Sequence, residues 1–180
     1  LINMYGPRGS NKTTASYKMM ETFTSYGFRC KRFDAERQDD KPWMEHVGVP
    51  LDKIGLSPEN YFNKVFDVIE DEIDNDAFDV FIVDSIDILL HDAVEKKKTG
   101  DDHMTLTARK FSQIVFPKLI SRLANTNKTL ILIFQARSDM GSSLDGYSGG
   151  NAAKHDSSLD LWFRRAGMSK ERSDGKRFKD

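Results

Sequence analysis

The sequence predicts an α/β fold in which a mostly parallel central sheet is covered by helices on both faces. Short, continuously apolar runs, such as 80–83 and 130–134, have the length and composition of strands buried on both sides. They alternate with longer segments in which apolar residues recur at helical spacing, as expected where helices connect parallel strands. A glycine-containing turn at 6–14 joins the first predicted strand to the first predicted helix.

Local signals predict the individual elements. The predicted strands, which are apolar or alternating runs, are 1–5, 28–33, 54–56, 80–83, 130–134 and 158–163. The predicted helices, which carry apolar residues at helical spacing or a starting proline, are 13–26, 42–47, 61–73 and 105–124. Gly27 is expected to end the first helix, and Pro42 to open the second. Ser57 or Asn60 is expected to cap the third, and Pro117 to kink or split the last.

Length and charge narrow the class of protein. The chain has 180 residues, enough for one domain with its own core. With 27 Lys and Arg against 28 Asp and Glu, bulk charge gives no argument for nucleic acid, so any such site must be local. The single cysteine, Cys30, excludes a disulfide framework and favours a reducing cytosol. No apolar run has membrane-spanning length, and no signal peptide is recognisable, so no membrane partner is expected.

The turn at 6–14 reads Gly-Pro-Arg-Gly-Ser-Asn-Lys-Thr-Thr, close to the P-loop pattern G-x-x-x-x-G-K-[ST]. Backbone N–H groups of such a turn form an anion nest, and the helix that follows adds its dipole. The residues predicted to hold a triphosphate are Gly6, Pro7, Arg8, Gly9, Ser10, Asn11, Lys12, Thr13 and Thr14. Lys12 would reach the β- and γ-phosphates, and the Thr13 hydroxyl would bind Mg²⁺.

Asn11 stands where the pattern has its second glycine. Asn is the non-glycine residue that best tolerates a left-handed backbone, so the turn can still close. The alternative is a chance match in a glycine-containing turn, which the strand before it and the helix after it argue against.

Three further polar residues follow predicted strands, at the edge where open α/β sheets bind ligands. Asp84 ends the run 80–84 and is predicted to hold Mg²⁺ through its water shell. Glu36 can polarise a water for attack on the γ-phosphate, or it is a surface residue at a strand end. Gln135 can sense the γ-phosphate through its amide, or it is bonded to backbone.

These motifs, in this order and at this spacing, resemble the RecA recombinase family of bacteria and its phage relatives over nearly the full chain. Residues 33–36, Phe-Asp-Ala-Glu, are similar to the segment that carries the family's catalytic glutamate. Residues 100–104 resemble the end of its first DNA-binding loop, 134–137 the start of its second, and 149–152 the segment that closes the second. The resemblance implies a RecA-type ATPase core over 1–180, with DNA-binding loops at about 95–104 and 136–150.

The resemblance also implies roles for single residues. Glu36 would be the general base and Gln135 the γ-phosphate sensor. Asp40 and Trp43 fall where the family packs the adenine. The positions that match its DNA contacts are Met104, Arg109, Arg137, Met140, Gly149, Gly150 and Asn151. Lys154 and His155 fall at its subunit interface.

The expected protein is an ATP- and Mg²⁺-dependent recombinase that forms helical filaments on single-stranded DNA and pairs it with homologous duplex DNA. It would act in the bacterial cytosol and could be phage-encoded. The start within a predicted strand and the charged segment 170–180 suggest a core fragment with elements missing at both ends. The rivals are another ATPase of this fold, such as a ring helicase or KaiC-like signalling ATPase, and a nucleotide-gated filament protein with little hydrolysis.

Overall fold

The computed structural model describes residues 1–89, 116–135 and 157–164. The predicted α/β fold is confirmed: within these residues, six strands form one sheet in which all neighbouring strands are parallel. The strands are β1 (Ile2–Gly6), β2 (Cys30–Asp34), β3 (Ile54–Ser57), β4 (Val80–Asp84), β5 (Thr129–Gln135) and β6 (Leu159–Trp162). The helices are α1 (Lys12–Ser25), α2 (Lys41–Val47), α3 (Phe62–Asp74) and α4 (Phe116–Ala124), with 3₁₀ turns at Leu51–Lys53 and Ile86–Ile88.

The strand order, β3-β2-β4-β5-β1-β6, determines which loops meet. β1 lies between β5 and β6, and Gly6 is in register with Gln135. β2 lies beside β4, with Asp34 in register with Asp84. Because the strands are parallel, their carboxyl ends share one edge, where the turn after β1 meets polar residues from three other strands.

Helices cover both faces of the sheet, as predicted. On one face, α1 and α2 pack against inward side chains that include Met4, Ile82 and Ile131. On the other, α3 and α4 pack against a set that includes Phe81, Val83 and Leu132. Adjacent residues of β4 and β5 therefore supply opposite cores, which is why these strands read as continuous apolar runs.

The start of α3 differs from the prediction. Its N-cap residue is Tyr61, and neither Ser57 nor Asn60 caps it. Ser57 still belongs to β3, and its hydroxyl accepts a bond from the Glu59 backbone N–H. No side chain among the described residues caps the helix; the Glu59 carboxylate accepts the N–H groups of Asn60 and Tyr61, just before its first turn, both at 3.0 Å.

Several predicted features lie outside the described residues. Among them are both predicted DNA-binding loops, at about 95–104 and 136–150, and the start of the long helix predicted at 105–124. The individual residues are Met104, Arg109, Arg137, Met140, Gly149, Gly150, Asn151, Lys154 and His155. In the described part of the chain, no helix is long and apolar enough to cross a membrane.

Candidate functional site

A pocket of about 320 Å³ opens at the carboxyl edge of the sheet. Its lining residues are Arg8, Gly9, Ser10, Asn11, Lys12, Thr13, Thr14, Glu36, Gln38, Asp84 and Gln135. Residues predicted from four separate segments, spread between positions 8 and 135 of the chain, thus line one cavity. Asp40 and Trp43, predicted to hold the base, are not among the lining residues.

The turn after β1 closes as the sequence predicts. Asn11 has φ 66° and ψ 23°, so it adopts the left-handed backbone that the pattern's glycine would supply. Gly6 is required for a different reason, the close approach of the chain after β6. A Cβ at Gly6 would lie 2.5 Å from the Phe163 carbonyl oxygen and 2.6 Å from Ser10 Oγ.

The ammonium group of Lys12 is held by the turn itself. Lys12 Nζ donates to the carbonyl oxygens of Gly6 at 2.7 Å and Pro7 at 3.0 Å. Burial lowers the Lys12 pKa, while the charges of Asp84 and Glu36 act in the opposite direction.

These groups fit a phosphate. The buried Ser10 hydroxyl has no hydrogen-bond partner among the described residues. The first backbone N–H groups of α1 have no acceptor within the helix. A bound phosphate would satisfy these donors and Lys12 together, so the residues present suit a triphosphate.

A carboxylate and a hydroxyl form the candidate metal site. Thr13 Oγ1 donates to Asp84 Oδ2 at 2.8 Å, which joins the start of α1 to the end of β4. Asp84 Oδ1 accepts no hydrogen bond from the described residues. Mg²⁺ prefers oxygen ligands and commonly takes one or two from protein, with waters and phosphates completing its shell. This donor set fits Mg²⁺, and the described residues contain no cluster of three or more His, Cys, Asp or Glu side chains suited to a metal ion.

Asp84 has a second partner that the sequence analysis missed. Arg32, in the middle of β2, is 1% exposed and donates from Nη2 to Asp84 Oδ2 at 2.8 Å. Its Nε donates to both carboxylate oxygens of Asp39, at 2.8 and 3.0 Å, and its Nη1 to Ser16 Oγ at 3.0 Å. Burial alone would lower the Arg32 pKa, but the charges of Asp84 and Asp39 together raise it above its ordinary value. Arg32 therefore stays charged inside the fold.

The predicted base and the predicted sensor are bonded to each other. Glu36 Oε1 accepts from Gln135 Nε2 at 2.7 Å and from Ser85 Oγ at 2.8 Å. The Gln135 backbone N–H donates to Asp87 Oδ2 at 2.6 Å. Burial raises the pKa of Asp87 to about 6, despite this bond and the nearby Lys12 charge. The side-chain amide and the backbone N–H of Gln135 are thus each bonded to a carboxylate, Glu36 and Asp87 respectively.

The residues predicted to pack the adenine lie beside the pocket. Asp40 accepts the Trp43 backbone N–H at 3.0 Å and so caps α2, a structural task that the sequence analysis did not assign to it. The Trp43 indole is 42% exposed, and its Nε1 donates to Thr14 Oγ1 at 3.4 Å. An exposed indole next to the first turn of α1 can stack on a base.

Other residues at the site were also missed. Gln38 lines the pocket from a segment that the sequence shows only as a polar loop. Ser85 follows Asp84, but nothing in its local pattern connects it to Glu36. Arg32 did carry a signal, because a cation within a strand that is otherwise buried needs buried carboxylates.

Comparison of the sequence with known proteins identifies the family. A family model, the RecA N-terminal domain, matches residues 1–179. The chain belongs to the RecA family. The RecA protein of Colwellia psychrerythraea is 33% identical over 173 residues, covering 94% of this chain and 50% of that protein. This RecA-family chain therefore spans about half the length of the curated relative it matches.

Proposed function

We propose that this chain is the ATPase core of a RecA-type recombinase that polymerises on single-stranded DNA and exchanges it with a homologous duplex. The observation that carries the proposal is the hydrogen bond between Glu36 and Gln135 in the wall of a pocket also lined by the P-loop and Asp84. A proton acceptor and an amide able to bind a phosphate oxygen thus lie beside a triphosphate cradle. Membership of the RecA family supports the DNA-dependent part.

The arrangement suggests how hydrolysis would proceed. Mg²⁺, held by Asp84 and Thr13, would supply positive charge at the phosphates. Lys12 would exchange the carbonyl oxygens of residues 6 and 7 for phosphate oxygens, because a charge-assisted bond is the stronger one. Glu36 would accept a proton from the attacking water, a contribution of about 10²–10⁴-fold in rate.

Gln135 would link the nucleotide to DNA. Its amide now donates to Glu36, so turning toward a γ-phosphate would also free that carboxylate. It ends β5, directly before the predicted second loop, so its movement would be transmitted to that loop. We propose DNA contacts in the loops at about 95–104 and 136–150 and subunit contacts at Lys154 and His155, all on family membership alone.

We propose that the start of α2, with Asp40 and Trp43, recognises the adenine of the nucleotide. Trp43 would stack on the adenine, and Asp40 would lie at the same side of the site. The contact between Trp43 and Thr14 supports this role, because it ties the indole to the helix whose N-terminus would hold the phosphates.

The test is ATP hydrolysis by the protein with and without single-stranded DNA, combined with electron microscopy of the same samples. Stimulated hydrolysis with helical filaments is the expected result. Rings in place of filaments would favour a helicase, and nucleotide binding without turnover would favour a nucleotide-gated filament protein. The replacement of a P-loop glycine by Asn11 favours that last rival, but Asn11 adopts the left-handed backbone that a glycine would supply, which weakens the case for it.

A further inference from the structure

Arg32 holds a permanent positive charge against Asp84, the carboxylate that would bind the metal. It is 1% exposed and lies on β2, beside β4, with its side chain between the sheet and α1, so it reaches Asp84 from there and not from the pocket. Asp84 Oδ2 receives both Arg32 Nη2 and Thr13 Oγ1 at 2.8 Å. Only Oδ1 then remains for a further ligand from the pocket side.

The arginine is fixed by more than this bond. Asp39 accepts its Nε through both carboxylate oxygens, Ser16 accepts its Nη1, and the Tyr17 ring lies 4.9 Å from its guanidinium carbon. Asp39 is held in turn by the Tyr17 hydroxyl at 2.8 Å, and its backbone N–H donates to Asp34 at 2.8 Å. A guanidinium with this many partners cannot swing away when a cation approaches.

A divalent cation at Asp84 would therefore meet a carboxylate whose charge is already partly compensated. Lys12 lies in the same pocket and adds a second positive charge. Both act across buried protein, where charges are screened less than in water. The phosphates of a nucleotide would add negative charge beyond that of Glu36, the other carboxylate that lines the pocket.

We propose that Arg32 is the resident counter-ion of Asp84 and keeps the nucleotide-free site from taking up a divalent cation, so that the cation enters with the nucleotide's phosphates. The inference rests on the proposed metal role of Asp84. It makes Arg32 a positioning residue, which acts on the cation through Asp84 and touches neither cation nor nucleotide.

The experiment measures Mn²⁺ binding to the nucleotide-free protein by electron paramagnetic resonance, which reports free aqueous Mn²⁺. Arg32→Met should bind Mn²⁺ about tenfold or more tightly than wild type, since a neighbouring arginine shifts proton binding to a carboxylate by a comparable factor or more. Arg32→Lys, which keeps the charge, should bind as weakly as wild type. Adding Asp84→Asn to Arg32→Met should abolish the gain.

Lys31→Met is the matched control. Lys31 is the adjacent residue of β2, is part-buried, and pairs with Glu72 on the opposite face, so its variant should have wild-type Mn²⁺ affinity. A gain of affinity is not a result that lost packing produces. If Arg32→Met does not fold, the double variant Arg32→Met/Asp39→Asn can be compared with the single variant Asp39→Asn. The two proteins differ only at residue 32, and the double variant should bind Mn²⁺ more tightly.

Wild-type Mn²⁺ affinity in folded Arg32→Met would overturn the proposal. A gain that survives Asp84→Asn would overturn it too, since the cation would then be bound elsewhere, for instance at Asp39. The assay contains neither nucleotide nor DNA, so its outcome is independent of whether the protein proves to be a recombinase.

Discussion

Asp87 should make the protein less stable at neutral pH than at pH 5. Burial raises its pKa from 3.8 to about 6, because the carboxylate form is poorly solvated beside β5. The folded state therefore binds a proton between pH 4 and pH 6 that the unfolded chain has released. Stability falls as pH rises through this window.

The size of the effect follows from the two pKa values. One pH unit corresponds to about 1.4 kcal/mol, so the change from 3.8 to about 6 is worth about 3 kcal/mol in the free energy of unfolding. Asp87→Asn keeps an acceptor for the Gln135 N–H but cannot ionise. Its stability relative to wild type should therefore rise by about this amount between pH 4 and pH 7.

Urea unfolding at a series of pH values measures this difference directly. Asp79 provides a control of opposite sign, because its bonds to Arg29 lower its pKa to about 2. Asp79→Asn should show a relative stability that changes only below about pH 4 and stays level from pH 4.5 to 7. A flat or falling difference for Asp87→Asn over pH 4 to 7 would show that Asp87 is not held in a poorly solvated environment.

Four substitutions test the parts of the proposed P-loop. Gly6→Ala should lower the free energy of unfolding by about 1–3 kcal/mol in urea, because the added Cβ meets the Phe163 carbonyl oxygen at 2.5 Å; an unchanged value would contradict this contact. Asn11→Gly should keep or raise ATP turnover, since glycine accepts φ 66° without strain, whereas Asn11→Val should lose it. Collapse of activity in Asn11→Gly would mean that the Asn side chain has a direct role. Lys12→Ala should abolish tight ATP binding in titration calorimetry, and an unchanged Kd would refute the P-loop assignment.

The sheet and most helix positions could be predicted because their signals are local. The runs that became β4 and β5 are apolar throughout, since each is covered on both faces. Gly27, with φ 87°, follows the C-cap of α1, as expected for a residue that ends a helix. Asn11 could be interpreted from its residue type alone, because few side chains accept its backbone.

The contacts within the site could not be predicted in the same way. Glu36 follows β2 and Gln135 ends β5, and their side chains meet across the end of β4, which lies between those two strands. That meeting depends on the strand order, which is a property of the whole fold. Arg32 could be suspected of needing buried carboxylates, but only the pairing of β2 with β4 selects Asp84. The predicted cap of α3 was wrong for a different reason. Ser and Asn are the usual capping residues, but this helix starts at Tyr61 without a side-chain cap from the described residues.

The most direct test of the proposed function is the ATPase rate of Glu36→Gln on saturating single-stranded DNA. The substitution keeps the size of the side chain and an acceptor for Gln135 and Ser85, but it removes the basic carboxylate. Glu45→Gln, the same change at an exposed position on α2, is the control and should hydrolyse ATP like wild type. Glu36→Gln should bind ATP and DNA nearly normally, hydrolyse about 10²–10⁴-fold more slowly, and form long-lived filaments. Hydrolysis within a few-fold of wild type would contradict the account and leave Asp34 or Asp87 as the base to be tested next.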